Sequence, residues 1–318
     1  MKIIIFADGD NKIGLGHVIR SLNLSTILKT KHRVFFLSEK IESIKILSEK
    51  FQTYNLKQDL DIIKGIKPDL LVIDKLKISK KILLQLNSIT KNILAIDLIG
   101  KDYGLIKYGI PILYPKSSFK HNNEKFDFRY TIINKKFRNY RKNQINKKVN
   151  NILIIQGGAD THCFIPKIIN ALKKNEQNFK YFIILGPSFK CWNKLKKVIE
   201  DRVDLKILKN VKNIEKVMSK MDLAISATGM TGLELCYIGV PSIFISAEKF
   251  ELETAECLER QSFGKNLGFG RNFTKDILNR ELENLAKDFQ LRKKMNKIGR
   301  KLIDGRGLYR ITEFINNL

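Results

Sequence analysis

"DLAISATGMTGLELCYIGVPSIFIS", Asp222 to Ser246, decides the fold. Leu223 to Ser226 is a short, continuous apolar run, the mark of a strand buried on both faces. Ala227-Thr228-Gly229-Met230-Thr231 predicts a tight turn into a helix that carries Glu234 in its first turns. Gly239-Val240-Pro241 stops that helix, and a second apolar run follows. A strand, a helix and a strand in so short a stretch predict a parallel sheet covered by helices.

The same alternation extends outward. "KIIIFA" (Lys2 to Ala7), "RVFFLS", "DLLVID" and "NILAID" predict strands in the first half, and "NILIIQ", "YFIILG" and "DLKIL" in the second. "HVIRSLNLSTIL" (His17 to Leu28) predicts a helix, and the last fifty residues or so look helical, with "LRKKMNKIGRKLI" clearly amphipathic. The pattern breaks at Asn134 to Lys148, which holds seven basic residues and no acid. That break predicts an interdomain linker or exposed edge, with domains at 1–148 and 149–318. The expected fold is α/β: two Rossmann-like, doubly wound parallel sheets facing a cleft.

Composition bounds the function. The chain has 318 residues, 43% of them hydrophobic, which supplies ample material for two cores. The net charge is +27, but the lysines are scattered among Asn and Ile, as on a solvated surface. No nucleic-acid motif accompanies them, so no nucleic-acid partner is expected. The charge favours an anionic substrate, or peripheral contact with an anionic membrane. Cys163, Cys191, Cys236 and Cys257 form no CxxC pair, which predicts free thiols in a reducing compartment. The apolar run Ile3 to Ala7 is too short for a signal peptide, and no run is long enough to span a membrane. The expected location is the cytoplasm.

In open α/β sheets, ligands sit beyond the carboxyl ends of the strands. The first strand ends at "ADGDNKIGLGH", where Gly14 and Gly16 allow close approach of a ligand to the backbone. Ile19 stands where a dinucleotide fingerprint needs its third glycine, and no acidic residue is expected at the end of the second strand to take a ribose. A nicotinamide cofactor is not expected. His17 opens the following helix, and Arg20 lies about 60° from it around the helix. Val18, Ile19 and Leu22 form the expected apolar side, so His17 should stay out of the core. A helix N-terminus disfavours the imidazolium and leaves a ring able to accept a proton. Position alone leaves two readings of His17 open: a general base, or a loop hydrogen-bonding partner.

In the second half, Gly157 and Gly158 precede a helix expected from about Thr161; the place suits phosphate, but taken alone it reads first as a plain strand-to-helix turn. The small residues Thr228 and Gly229 would let a diphosphate approach the next helix start. Glu234 stands where a carboxylate can accept hydrogen bonds from a ribose diol, or, read alone, where an acid stabilises a helix N-terminus. His162-Cys163 lacks partner spacing for a metal, and no metal is expected. His32 and His121 have no recognisable context.

Together, "DGDNKIGLGHVIRSLNLS", "IIQGGAD" and "SATGMTGLELCYIGVPSIFI" resemble the motifs of the PseG/SpsG family of nucleotide-sugar hydrolases. The last is also similar to the donor-binding segment of MurG-type glycosyltransferases. The resemblance implies the GT-B architecture and hydrolysis of UDP-2,4-diacetamido-2,4,6-trideoxy-altropyranose to UDP and free sugar, with no cofactor. It makes His17 the catalytic base and Glu234 the carboxylate on the uridine ribose. It places Gly229, Met230 and Thr231 at the diphosphate, and Gly14 and Gly16 beside the base. Asp8, Arg20, Gly157, Gly158 and Thr228 join the expected substrate-binding set. Where that family commonly has a histidine and a tyrosine after the strand "LLVID", this chain has Lys75 and Leu76. Its paired aspartates after the next strand are reduced to Asp97. The alternative is a GT-B glycosyltransferase or a sugar-nucleotide-binding relative in surface polysaccharide biosynthesis. A hydrolase must admit water, and a transferase must exclude it.

Overall fold

The computed structural model describes residues 1–9, 15–98, 104–113, 127–173, 178–200 and 202–318. Gly14 and His121 lie outside them.

Two compact units result: Met1–Asn134 with Arg306–Leu318, and Lys135–Gly305. The first holds β1 (Lys2–Ala7), β2 (Arg33–Ser38), β3 (Thr53–Asn55), β4 (Leu70–Asp74), β5 (Ile93–Ile96) and β6 (Tyr108–Ile110). They form one parallel sheet in the order β3-β2-β1-β4-β5-β6. The second holds β7 (Asn151–Ile155), β8 (Lys180–Leu185), β9 (Leu205–Lys209), β10 (Leu223–Ser226), β11 (Ser242–Ser246) and β12 (Lys265–Phe269). Its parallel order is β12-β11-β10-β7-β8-β9. Each is a doubly wound sheet. The winding direction reverses between β1 and β4 in one and between β7 and β10 in the other, and crevices open at such reversals.

Burial on both faces explains why the apolar runs are continuous. Ile3, Ile4, Ile5 and Phe6 of β1 are all fully buried. One face packs Ile4, Phe6, Leu37 and Ile73 against Leu83 and Leu86 of the helix Lys80–Ile89. Asp74 follows Ile73, so alternation turns it to the other face, which carries the helix Gly16–Leu28.

Three strands escape the sequence pattern: β3 and β6, of three residues each, and β12, a half-buried "KNLGF". Each is an edge or short strand with too few apolar positions to show a run. The helix expected from about Thr161 begins later, at Phe164. The basic stretch expected to form a linker or edge is built into the second unit from Lys135 onward. Phe137 is buried, the Lys142 backbone N–H donates to Ile238 O at 2.8 Å, and Arg292 donates to Lys147 O at 2.6 Å. Arg141 Nε donates to Tyr237 O at 3.3 Å and Lys142 Nζ to Met221 O at 2.7 Å, so cations of this stretch hold backbone carbonyls. The final helix, Gly307–Asn316, packs in the first unit, where Ile311 and Ile315 are buried and Phe314 meets Tyr108 edge-on.

Candidate functional site

In the first unit, strand register gathers the charged groups. Ala7 is level with Asp74, and Phe6 with Leu37, so the residues just beyond β1, β2 and β4 emerge side by side. They are Asp8, Glu39 and Lys75. The Asp8 carboxylate is buried and accepts the Glu39 backbone N–H at 2.9 Å. Lys75 pairs with it, donates to Glu39 Oε2 at 2.7 Å, and lies over the Phe6 ring at 3.8 Å. Asp8 is therefore already engaged on both oxygens.

His17 is half-buried in the first turn of the helix Gly16–Leu28. Its Nδ1 lies 2.7 Å from Asp74 Oδ1. Asp74 also accepts from Ser21 Oγ at 2.8 Å and from Arg20 Nε at 3.1 Å. Arg20 bonds Asp97 through its other edge. Asp97, in a left-handed conformation, accepts the Leu113 backbone N–H at 2.7 Å. Burial disfavours charge on Asp74, but Arg20 and His17 outweigh it and hold its carboxyl well below the usual range. Burial likewise opposes charge on Arg20, and the two aspartates reverse this and push its pKa up.

This arrangement corrects the expected helix faces. Arg20 is 4% exposed, whereas Ile19 is 42% exposed. The helix turns its charge inward because two buried carboxylates at the ends of β4 and β5 require a cation. Arg20 is a scaffold for Asp74 rather than an open anion receptor. Arg20 Nη2 also lies 3.2 Å from His17 Nδ1; the tautomer with Nδ1–H directed at Asp74 would leave Nε2 as a proton acceptor, with Asp74 to balance the charge that follows. Among the described residues, a Cβ at Gly16 would meet nothing within 4 Å.

In the second unit, a cavity of about 500 Å³ lies beyond β7, β8 and β9, a size typical of small-molecule sites. Gly157, Gly158, Gly186, Val211 and Thr231 are among its walls. Gly157 adopts φ +66°, and a Cβ at Gly186 would strike Gly158 O at 2.2 Å. Glycine is required there by the backbone itself. The Asp160 carboxylate accepts the N–H groups of Phe164 and Ile165 at 2.7 and 3.0 Å. It thereby fills the helix start expected to take phosphate.

Thr228, fully buried, hydrogen-bonds Ser246 Oγ at 2.9 Å and donates to Glu251 O at 3.1 Å. It braces the loop. Gly229 caps the helix Met230–Ile238, and a Cβ there would lie 2.8 Å from Glu251 Oε1. Met230 and Thr231 occupy the first turn, half-buried. Glu251 is buried and accepts the Ala247 N–H at 2.7 Å; burial pushes its pKa up to about 7, against the backbone hydrogen bonds. Glu234 stands one turn beyond Thr231 on the same helix face. Burial, then the nearby Glu215, pushes its pKa up to about 8.

Sequence reasoning missed Glu39, Glu215, Glu251 and the His17–Asp74 pair. One signal was present for the pair: consecutive buried strands, "DLLVID" and "NILAID", each close on an aspartate. The expectation of four free thiols fails at Cys163 and Cys191, which form a disulfide with Cα atoms 5.7 Å apart. Proximity in the fold, rather than spacing in sequence, sets that pairing. Cys236 and Cys257 are free. Among the described residues no helix is long and apolar enough to cross a membrane.

No family model matches the chain. An uncharacterized protein of Methanocaldococcus jannaschii is 28% identical over 295 residues, 80% of this chain and 57% of that protein. The spore coat polysaccharide biosynthesis protein SpsG of Bacillus subtilis is 26% identical over 194 residues, 59% of this chain and 57% of that protein. The chain thus spans little more than half the length of these relatives. Among solved structures, MurG of Acinetobacter baumannii aligns over 100% of this chain and 99% of its own, with a TM-score of 0.74 and 16% identity. UDP-GlcNAc 2-epimerase from Neisseria meningitidis, bound to UDP-GlcNAc, aligns over 100% of both chains with a TM-score of 0.64 and 14% identity. The fold is that of the GT-B glycosyltransferases.

Proposed function

We propose that this chain is a nucleotide-sugar hydrolase that releases UDP from UDP-2,4-diacetamido-2,4,6-trideoxy-altropyranose. The observation that carries the reading is the His17–Asp74 hydrogen bond of 2.7 Å. It fixes an imidazole with one nitrogen committed to a carboxylate and the other able to take a proton from water. The water oxygen then bonds the anomeric carbon, the bond from that carbon to the diphosphate oxygen breaks, and its electron pair leaves with UDP. In the second unit, the glycine-walled cavity suits the nucleotide, Met230 and Thr231 the diphosphate, and Glu234 the ribose hydroxyls. Support for a UDP-sugar comes from the epimerase bound to UDP-GlcNAc, and support for a role in surface polysaccharide biosynthesis from SpsG.

A second reading is transfer of the sugar to an acceptor hydroxyl, which His17 would deprotonate in the same way. The likeness in fold to MurG over the whole chain favours it. Release of UDP in water, with no acceptor present, separates the two. The hydrolase releases it, and the transferase needs the acceptor.

A further inference from the structure

We propose that Cys163 and Cys191 are a reversible redox pair that sets the order of the glycine loop after β7. The disulfide joins two loops at the carboxyl end of the second sheet. Cys163 ends the loop that begins at Gly157 and precedes the helix Phe164–Ala171. Cys191 precedes the helix Trp192–Ile199, a few residues beyond Gly186 and Pro187. Gly157, Gly158, Gly186 and Pro187 all line the same cavity, so the bond ties one of its walls to another.

The loop needs its tethers. Asp160 and Cys163 both adopt left-handed conformations, with φ of 45° and 58°, which L side chains rarely occupy. The Gln156 amide, just before the loop, is 2% exposed, and neither its nitrogen nor its oxygen has a hydrogen-bond partner among the described residues. Against these unfavourable features stand the Asp160 carboxylate's bonds from the Phe164 and Ile165 N–H groups, the Cys163 N–H to Asp160 O at 2.9 Å and the Ser188 N–H to Gly158 O at 3.3 Å, two contacts with Glu248 (Thr161 Oγ1 at 2.9 Å and His162 Nε2 at 3.4 Å), and the disulfide. The disulfide is the covalent one.

Both cysteines are half-buried, so a small dithiol can reach them. Its thiolate attacks one sulfur and forms a mixed disulfide. Its second thiol then displaces the protein sulfur. Cys163 and Cys191 end as thiols and the dithiol as a disulfide, with two electrons and two protons transferred. Release of the tether lets the loop leave its left-handed conformations. The consequence for nucleotide affinity rests on the function proposed above. A preorganised wall binds better than one that must be ordered on binding.

The test uses the whole chain, equilibrated in air and then in dithiothreitol. Alkylation of the unfolded oxidised protein should mark Cys236 and Cys257 alone, and after reduction all four cysteines. On reduction, amide exchange at residues 157–163 should accelerate at least about tenfold and UDP affinity should fall at least about fivefold, both restored by reoxidation. Cys163→Ser with Cys191→Ser should reproduce the reduced state without reductant. Should that variant fail to fold, the wild-type comparison still decides. Alkylation of Cys163 and Cys191 without reductant would overturn the proposal, as would equal loop exchange in both states. A loop that loosens while UDP binding stays the same would overturn the coupling to the ligand. A loop that loosens while UDP binds in neither state would uphold the pair and remove the nucleotide reading.

Discussion

Arg20 joins Asp74 to Asp97: one guanidinium bonds the carboxylate that closes β4 and the carboxylate just beyond β5. All three side chains are buried. The link makes the orientation of Asp74, and through it that of His17, a property of the sheet rather than of a loop.

Arg20→Met is therefore expected to destabilise the first unit by about 3–5 kcal/mol, because it leaves two buried carboxylates without a cation. Urea denaturation at pH 7 measures this. Stability within about 0.5 kcal/mol of wild type would show that the aspartates find other partners.

Asp74→Asn should keep the fold, since Asp97 still faces Arg20, and should disable the base. An amide can hold the imidazole in the wrong tautomer, with its proton on the nitrogen that ought to accept one. Turnover should fall about 10²–10⁴-fold while UDP affinity stays within about twofold. Steady-state kinetics and titration calorimetry separate the two effects, and equal losses in both would count against an orienting role.

Glu234 gives a pH signature. Its folded-state pKa is pushed up to about 8 from an ordinary 4.5, by burial first and Glu215 second. Between those values the folded chain binds the proton that the unfolded chain releases. Stability contributed by the protonated group is present at low pH and is lost as pH rises through that window. Glu234→Gln removes the dependence, so at pH 8.5 the variant should be more stable than wild type by ~1–2 kcal/mol, with solvent screening allowed for. At pH 4.5 the two should converge. Parallel curves for the two proteins would assign the pH dependence elsewhere.

Much of the architecture is legible in the sequence because buried parallel strands leave uninterrupted apolar runs. "KIIIFA" and "RVFFLS" match β1 and β2 residue for residue. The short edge strands are not legible, since three residues carry no period. The loops that gather the site are legible as positions beyond strand ends, but the partnerships within them are not. Arg20 on a helix gives no sign that it belongs inward until the aspartates of β4 and β5 are beside it. Lys75 reads as one lysine among many, yet strand register places it between Asp8 and Glu39. Cys163 and Cys191 are 28 residues apart, and only the adjacency of β7 and β8 brings their loops together.

The most direct test of the central claim is the rate of UDP release from UDP-2,4-diacetamido-2,4,6-trideoxy-altropyranose in water, with no acceptor, for wild type and His17→Ala. Wild type should release UDP, and the variant should do so at least about 10²-fold more slowly while binding UDP with unchanged affinity. Equal release by both proteins, or loss of turnover and UDP binding together, would contradict the assignment of His17 as the base.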